Sequence, residues 1–281
     1  MSQTLSHVAG PVIMGKRILL WSSLGLVTPS RWHRSELDSK HDLSERLVNL
    51  VPTATFVCLA NSRKHNGRCL AGKALFNGTY SRWIRPVTEH PSEELQSHEH
   101  CLQSGEDSSI LDLLEIQLLQ PKGKQHQQEN WLMDVSVPLK KKGTLSLADV
   151  SQIVDSPGSL WGIGSSSKSG LNNFVPASEI QQFSSSLYLI DVNNFKLQII
   201  EESYPRKRKT MVGFFSYKGA DYKLKVTDPE FEGKFIDRPL GDYEIERTLL
   251  TISLGENFKE SYYKLIAGII PIEYGKKWSS Q

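Results

Sequence analysis

Residues 54–87 read ATFVCLANSRKHNGRCLAGKALFNGTYSRWIRPV, and their rhythm decides the fold. Phe56, Val57, Cys58 and Leu59 form a short apolar run that ends at Asn61-Ser62. His65-Asn66-Gly67 supplies a turn, because Asn-Gly readily adopts positive φ. Residues 68–75 and 79–87 read as the next two strands, separated by Asn77-Gly78. Pro86 has to sit at a strand end or edge, since it has no amide hydrogen for a ladder. The stretch predicts a β-meander.

The charge of this stretch is as one-sided as its pattern. No Asp or Glu lies between Arg46 and Thr88, while Arg63, Lys64, Arg68, Lys73, Arg82 and Arg85 all do. Residues 89–115 reverse this, with eight acids and no Lys or Arg. The net charge of the chain, +2, hides the asymmetry. Basic residues interleaved with Phe56, Phe76, Tyr80 and Trp83 fit a surface that tracks phosphates and stacks bases. The plainer alternative is a solvated strand–loop–strand with its cations pointing outward.

Outward from there, residues 111–119 alternate as a strand with Leu114, Ile116 and Leu118 on one face. Ser146 and Asp149 outline a helix start, and the helix behind them would bury Leu147, Val150, Ile153 and Val154. Residues 156–178 are dense in Ser, Gly and Asn and read as a connector. Strands return at 195–201, 208–217, 221–227, 248–254 and 262–270, with an insertion after the third. That is the outline of an oligonucleotide-binding (OB) barrel, although other small barrels share it. The chain divides into an extension over 1–50, a first OB-like barrel over 51–143, a helix and connector over 144–185, and a second OB-like barrel over 186–276. The predicted class is mainly β.

Length and composition agree with this. The 281 residues, 38% hydrophobic, supply two small cores. Three cysteines are an odd number and point to free thiols in a cytoplasm. No stretch approaches the roughly 20 apolar residues of a membrane span. ILLWSSLGLV at 18–27 follows Lys16 and Arg17 like a short signal core, but the following TPSRW lacks a small-x-small cleavage site.

Several clusters could carry chemistry. GIGSSSKS at 162–169 approaches a phosphate loop, but Ser167 stands where a Walker loop needs Gly. Ser165, Ser166, Ser167 and Asn172 remain as donors to a ligand. His126, Glu129 and Asn130 could act as base, acid and orienting amide. Cys58, His65, Cys69, His98, His100 and Cys101 raise zinc, but Cys58-x6-His65-x3-Cys69 lacks paired ligand spacing, so neither metal nor cofactor is expected. A second basic cluster runs through Tyr204, Arg206, Lys207, Arg208 and Lys209, and Lys223 and Lys225 share one face of the strand beyond it.

The blocks CLANSRKHNGRCLAGK, WIRPV, LLEIQLLQP with QHQQENWLMD, SLWGIGSSSKSGLNNFVP, and YKLKVTDPEFE with ISLGENFKESYYKLIAGII resemble, in order and spacing, the dual-OB domain family of bacteria over about residues 54–272. The resemblance implies two OB-like barrels in one unit. It also implies an accessory role in bacterial conflict or defence systems, with nucleic-acid or nucleotide binding. No catalytic set comes with it. The sequence therefore predicts a cytoplasmic binding module for nucleic acid, single-stranded rather than duplex, with other defence proteins as possible partners and no membrane. Arg63, Lys64, Arg68, Arg82, Arg85, Lys207, Lys209, Lys223 and Lys225 would meet phosphates, and Trp83 and Tyr80 would stack bases. The alternatives are a nucleotide- or nucleic-acid-directed enzyme using His126, Glu129, Asn130 and Ser165–Ser167, and a protein–protein adaptor docking through the acidic 89–115 segment.

Overall fold

A computed structural model describes residues 52–202 and 207–272. The predicted extension over 1–50, the signal-like stretch at 18–27, residues Tyr204–Arg206 and the end of the second barrel lie outside the described residues.

The opening meander forms as its pattern predicts: β1 Thr53–Lys64, β2 Gly67–Phe76 and β3 Thr79–Val87. His65 and Asn77, at φ +49° and +50°, make the two turns. A short helix, α1 Ser97–His100, follows, then β4 Asp112–Pro121, β5 Asn130–Met133 and β6 Lys140–Thr144. The order β1-β2-β3-β5-β4 closes on itself through a β1–β4 pairing, so five strands make a barrel. The β3–β5 pairing is parallel and the others are antiparallel. Phe56, Cys58, Leu70, Ile84, Leu114, Ile116 and Met133 fill its interior.

The connector is more structured than its composition suggests. Ser146 Oγ accepts from the Asp149 amide at 3.1 Å and starts α2, Leu147–Val150, continued by a 3-10 turn over Ser151–Ile153. Val150 is buried, but Leu147 is exposed. Leu160 and Trp161 then enter the second core. Trp161 stacks on Tyr188 at 4.6 Å, and its Nε1 donates to the Ser185 carbonyl at 2.7 Å. β7, Phe174–Pro176, completes the segment.

The second sheet runs through β8 Leu187–Val192, β9 Phe195–Glu202, β10 Arg208–Tyr217, β11 Ala220–Val226, β12 Gly241–Ile245, β13 Thr248–Phe258 and β14 Ser261–Pro271. Its path is β12-β9-β10-β11-β14-β13-β8, with β11–β14 parallel. The strand order of the first barrel recurs, except that the first strand is split. β8 pairs with β13, β9 pairs with β10, and only Asn193-Asn194, the latter at φ +57°, separates them. The helix α3, Pro229–Phe235, lies between the third and fourth strands of the repeat. Asp228 caps it by accepting from the Phe231 amide at 3.0 Å, and also accepts from Ile269 of β14 at 3.1 Å. Phe231 and Phe235 enter the core beside Phe195, Leu197, Met211, Tyr222 and Ile266.

Both barrels belong to one compact unit, Asn49–Gln281. Val57 and Leu59, on the outer side of β1, pack against Leu189, Leu249 and Ile270 of the second barrel. Ala60 and Ala71 meet Leu187 and Ala267. Thr251 Oγ1 donates to the Leu59 carbonyl at 2.6 Å, and a Cβ at Gly268 would stand 2.2 Å from that same oxygen. We predict that Gly268→Ala, which presses a methyl into this backbone contact, costs about 1–3 kcal/mol. A denaturation midpoint equal to wild type would refute the tight seam.

The second core also holds a lysine. Lys264 is 2% exposed, lies 5.6 Å from the Tyr222 ring centre, and donates to the Gly162 carbonyl at 2.9 Å. Burial lowers its pKa to about 8, only partly opposed by Glu179. Between about pH 8 and 10.5 the unfolded chain binds the proton that the folded chain releases, so stability rises with pH across that window. Lys264→Met removes this gain. Its stability relative to wild type should fall by roughly 2 kcal/mol from pH 7 to pH 10. Parallel denaturation curves at the two pH values check it, and a pH-independent difference would sink it.

Candidate nucleic-acid interface

The two barrels do not offer the same surfaces. In an OB barrel the face on the second and third strands, with the loops beside it, receives oligonucleotides or oligosaccharides. In the first barrel that face, carrying Ala71 and Trp83 beside Val57 and Leu59 of β1, is the one packed on β8, β13 and β14. In the second barrel the corresponding face lies on β9, β10 and β11, whose outward residues are not among those of the seam clusters in the described residues.

Strand alternation builds this face. Phe195, Leu197 and Ile199 point into the core, which turns Lys196 and Gln198 outward. Tyr222, Leu224 and Val226 do the same for Lys223 and Lys225. Of the adjacent Phe214 and Phe215, Phe215 is buried against Tyr222 and Phe214 is half-exposed. Phe214 sits directly opposite Lys196 on one side and Lys223 on the other. Lys223 Nζ lies 4.8 Å from the Phe214 ring centre. Gly213 beside it has no room for a side chain, since a Cβ would come within 2.6 Å of Phe195. Asn193, Asn194, Lys196, Leu171 and Phe214 line a groove of about 480 Å³ here. Asp221 and Asp242 border it, and Gln198 donates to Asp242 at 2.8 Å.

Lys196 pairs with Glu244 at 3.9 Å. Lys225, also on this face, is tied to Glu202 at 3.1 Å, as is Arg208 at 3.0 Å. These two cations hold the Glu202 carboxyl below its usual range, against the upward pull of burial. Lys207 pairs with Glu201 at 3.1 Å. Lys209 donates to the carbonyls of Ile236 and Arg238 at 3.1 and 2.9 Å.

The basic run of the first barrel has a different use. Arg63 ion-pairs with Glu232 of α3, Lys64 with Glu256 of β13 at 3.1 Å, and Lys73 with Asp155 of the connector at 2.6 Å. Arg85 is 3% exposed; it pairs with Glu129 at 3.3 Å and donates to Asn130 Oδ1 and Ser186 Oγ at 3.1 and 2.8 Å. Ser186 Oγ in turn donates to Glu129. The acids missing from this run are supplied from elsewhere in the fold. Arg85 therefore stands in the interior, not where a phosphate reaches. Trp83 and Tyr80 are corrected likewise: both pack in the seam, and Trp83 Nε1 donates to Asp155 at 3.0 Å. Arg68 is half-buried on a separate cavity, and the exposed Arg82 lies 5.2 Å from the Phe76 ring centre.

His126, Glu129 and Asn130 do come together, but all three are buried. His126 Nε2 bonds the Gly255 carbonyl at 3.0 Å, and burial together with Arg85 lowers the pKa of its imidazole. The serine loop does not join them. Asn172 Oδ1 accepts from the Gly164 amide at 2.5 Å, Ser166 Oγ from the Asn172 amide at 2.9 Å, and Asn173 Oδ1 from the Ser167 amide at 2.8 Å. Ser165 lies within this turn, and Asn172 Nδ2 reaches out of it to donate to the Asp221 carbonyl at 2.9 Å. Sequence reasoning missed Phe214 and Lys196 as site residues. The doublet Phe214-Phe215 in an alternating strand was the available signal, since one of the two rings has to point outward.

Two barrels of this strand order, each with a short helix between its third and fourth strands, define a tandem OB protein, a fold that serves nucleic-acid binding. The chain belongs to the family of dual OB-containing domains, whose model matches residues 54–269. No curated protein matches it. Among the described residues no helix is long and apolar enough to cross a membrane.

The buried cluster makes its own test. Arg85→Ala leaves Glu129 as an uncompensated interior charge and should cost on the order of 3–5 kcal/mol. Glu129→Gln in the same background should return part of that loss. Chemical denaturation of the single and double variants reads both effects; an Arg85→Ala protein as stable as wild type contradicts the assignment.

Proposed function

We propose that this protein binds single-stranded nucleic acid on the β9–β10–β11 face of its second barrel. One observation carries the proposal: the equivalent face of the first barrel is spent on docking, while this one presents Phe214 between Lys196 and Lys223 over a groove. A half-exposed ring offers a stacking platform to any base, and flanking ammonium groups meet the phosphates on either side. The role is that of a binding module. The enzyme alternative loses support because its His126, Glu129 and Asn130 are buried. The adaptor alternative loses support because its acids are largely paired within the fold: Asp112 with Lys141, Glu115 with Lys140 and Lys142, and Glu93 with Lys124. Service in a bacterial defence system, in the cytoplasm and beside other components of that system, belongs to the same proposal and is supported by the family resemblance. Unchanged survival of phage-challenged cells after deletion of the gene would count against it.

Fluorescence anisotropy with labelled single-stranded DNA and RNA, at two or more salt concentrations, tests the binding. Phe214→Ala should weaken it by about 1–3 kcal/mol at every salt concentration. Lys223→Ala and Lys196→Ala should each lower the salt slope by roughly 0.7. Thermal melts should stay near wild type, because all three side chains point outward. A folded wild type that binds neither polymer at low salt ends the proposal. Losses confined to Arg68→Ala and Arg82→Ala would move the site to the first barrel.

A further inference from the structure

The segment between β3 and β4 carries a second cluster that the nucleic-acid face does not use. Cys101 and Asp107 face each other across an antiparallel bridge, and the chain between them turns back through hydrogen bonds from Leu102 N to Glu106 O and from Gly105 N to Leu102 O, each 2.8 Å. The backbone thus fixes the two residues side by side. His100 joins them from the end of α1. Its ring is 5% exposed, and its buried Nδ1 has no hydrogen-bond partner. A buried ring nitrogen with no partner is costly to leave and calls for an explanation. Nδ1 stands 3.5 Å from Asp107 Oδ1, Cys101 Sγ stands 3.4 Å from that same oxygen, and all three donor atoms lie within 4.8 Å of one another.

We propose that His100, Cys101 and Asp107 bind a divalent transition-metal ion, zinc in the first instance. The donor set decides the class: imidazole, thiolate and carboxylate together suit zinc, while calcium and magnesium take oxygen ligands. The spacing fits as well. Tetrahedral zinc with ordinary bond lengths separates a nitrogen from an oxygen ligand by about 3.3 Å and a sulfur from an oxygen ligand by about 3.5 Å. Those two separations here are 3.5 and 3.4 Å, while the nitrogen and sulfur, within 4.8 Å of each other, would draw in to about 3.6 Å on binding. The Cys101 thiol now donates to the Ser97 carbonyl at 2.8 Å. On binding, the S–H bond gives its proton to solvent and the sulfur coordinates the metal as thiolate. His100 Nδ1 gains its missing partner. Three protein ligands leave a fourth position, as in sites that keep a water. His100 and Asp107 also line a cavity of about 540 Å³, together with Arg63, His65 and Arg68. In the sequence His100 and Cys101 are among the possible zinc ligands, yet no metal is expected; the fold adds Asp107, brought back beside them.

Cobalt(II) is the probe, added to the full chain after treatment with chelator. Wild type should bind one equivalent and develop a thiolate-to-cobalt charge-transfer band, and zinc should displace it. Cys101→Ser should abolish the band, whereas Cys69→Ser should retain it. His100→Ala and Asp107→Asn should each weaken zinc binding, followed by calorimetry, at least tenfold. Thermal melts in chelator show whether each variant folds, and the wild-type band identifies the sulfur ligand without any variant. Absence of a stoichiometric site in wild type overturns the proposal, as does full retention of the metal by the His100→Ala, Cys101→Ser double variant.

Discussion

At the carbonyl oxygen of Leu59 the backbones of the two barrels come into close contact. That oxygen accepts the Thr251 hydroxyl at 2.6 Å, and the backbone at Gly268 approaches it so nearly that no side chain fits between. A contact of this kind fixes strand against strand, not merely patch against patch. Around it, Val57 and Leu59 interleave with Leu189, Leu249 and Ile270, and the shorter Ala60, Ala71 and Ala267 let the sheets come close where Leu187 enters. The cost is that the outer face of β1–β2–β3 is no longer a surface. Two copies of one fold are therefore used unequally: this face of the first barrel is packed in the seam.

The polar groups at the seam follow from the same constraint. Docking two sheets buries side chains that would otherwise be solvated, and buried charges are tolerated only when paired and hydrogen-bonded. Asp155 shows how this is met. It accepts from Lys73 at 2.6 Å, Trp83 at 3.0 Å and the Leu189 amide at 2.8 Å, while its own amide donates to the Leu189 carbonyl at 2.6 Å. One connector residue thus ties β2, β3 and β8 together. Arg85, Glu129, Ser186 and Asn130 form a second such knot with one member from the second barrel. A run over 54–87 rich in cations and empty of acids suits this arrangement, because its partners come from outside the run.

This explains which parts of the molecule were legible in the sequence. The second barrel was, because its strands bury one face and alternate visibly: Phe195, Leu197 and Ile199 in, Lys196 and Gln198 out. The meander of the first barrel was legible from its Asn-Gly turns. The docking was not. An outward apolar residue that meets another barrel looks the same in sequence as one that fills its own. Yet the run Phe56–Ala60 is apolar at every position, and strands covered on both faces read in this way. The basic run misled for a related reason. An arginine destined for a buried Glu129 and one destined for a phosphate differ in their surroundings, which sequence spacing does not record. The connector was judged by its serines and glycines, while Leu160 and Trp161, which carry its packing, passed as incidental.

The difference between the two corresponding faces finally comes down to one break in a strand. In the first barrel β1 runs unbroken over Thr53–Lys64, and its outward side chains go into the seam as far as Ala60. In the second barrel the equivalent strand is interrupted at Asn193-Asn194, where Asn194 takes the left-handed conformation that Asn tolerates better than most residues. Before the break, β8 turns Leu187 and Leu189 outward onto the first barrel. After it, β9 turns Lys196 and Gln198 outward into solvent, while Val192 and Phe195 on either side both stay in the core. A straight strand carries its outward residues along one continuous face, so it could not dock a partner barrel with its first half and present lysines with its second. The bend separates the two demands, and Asn193 and Asn194 at that bend line the groove beside Phe214.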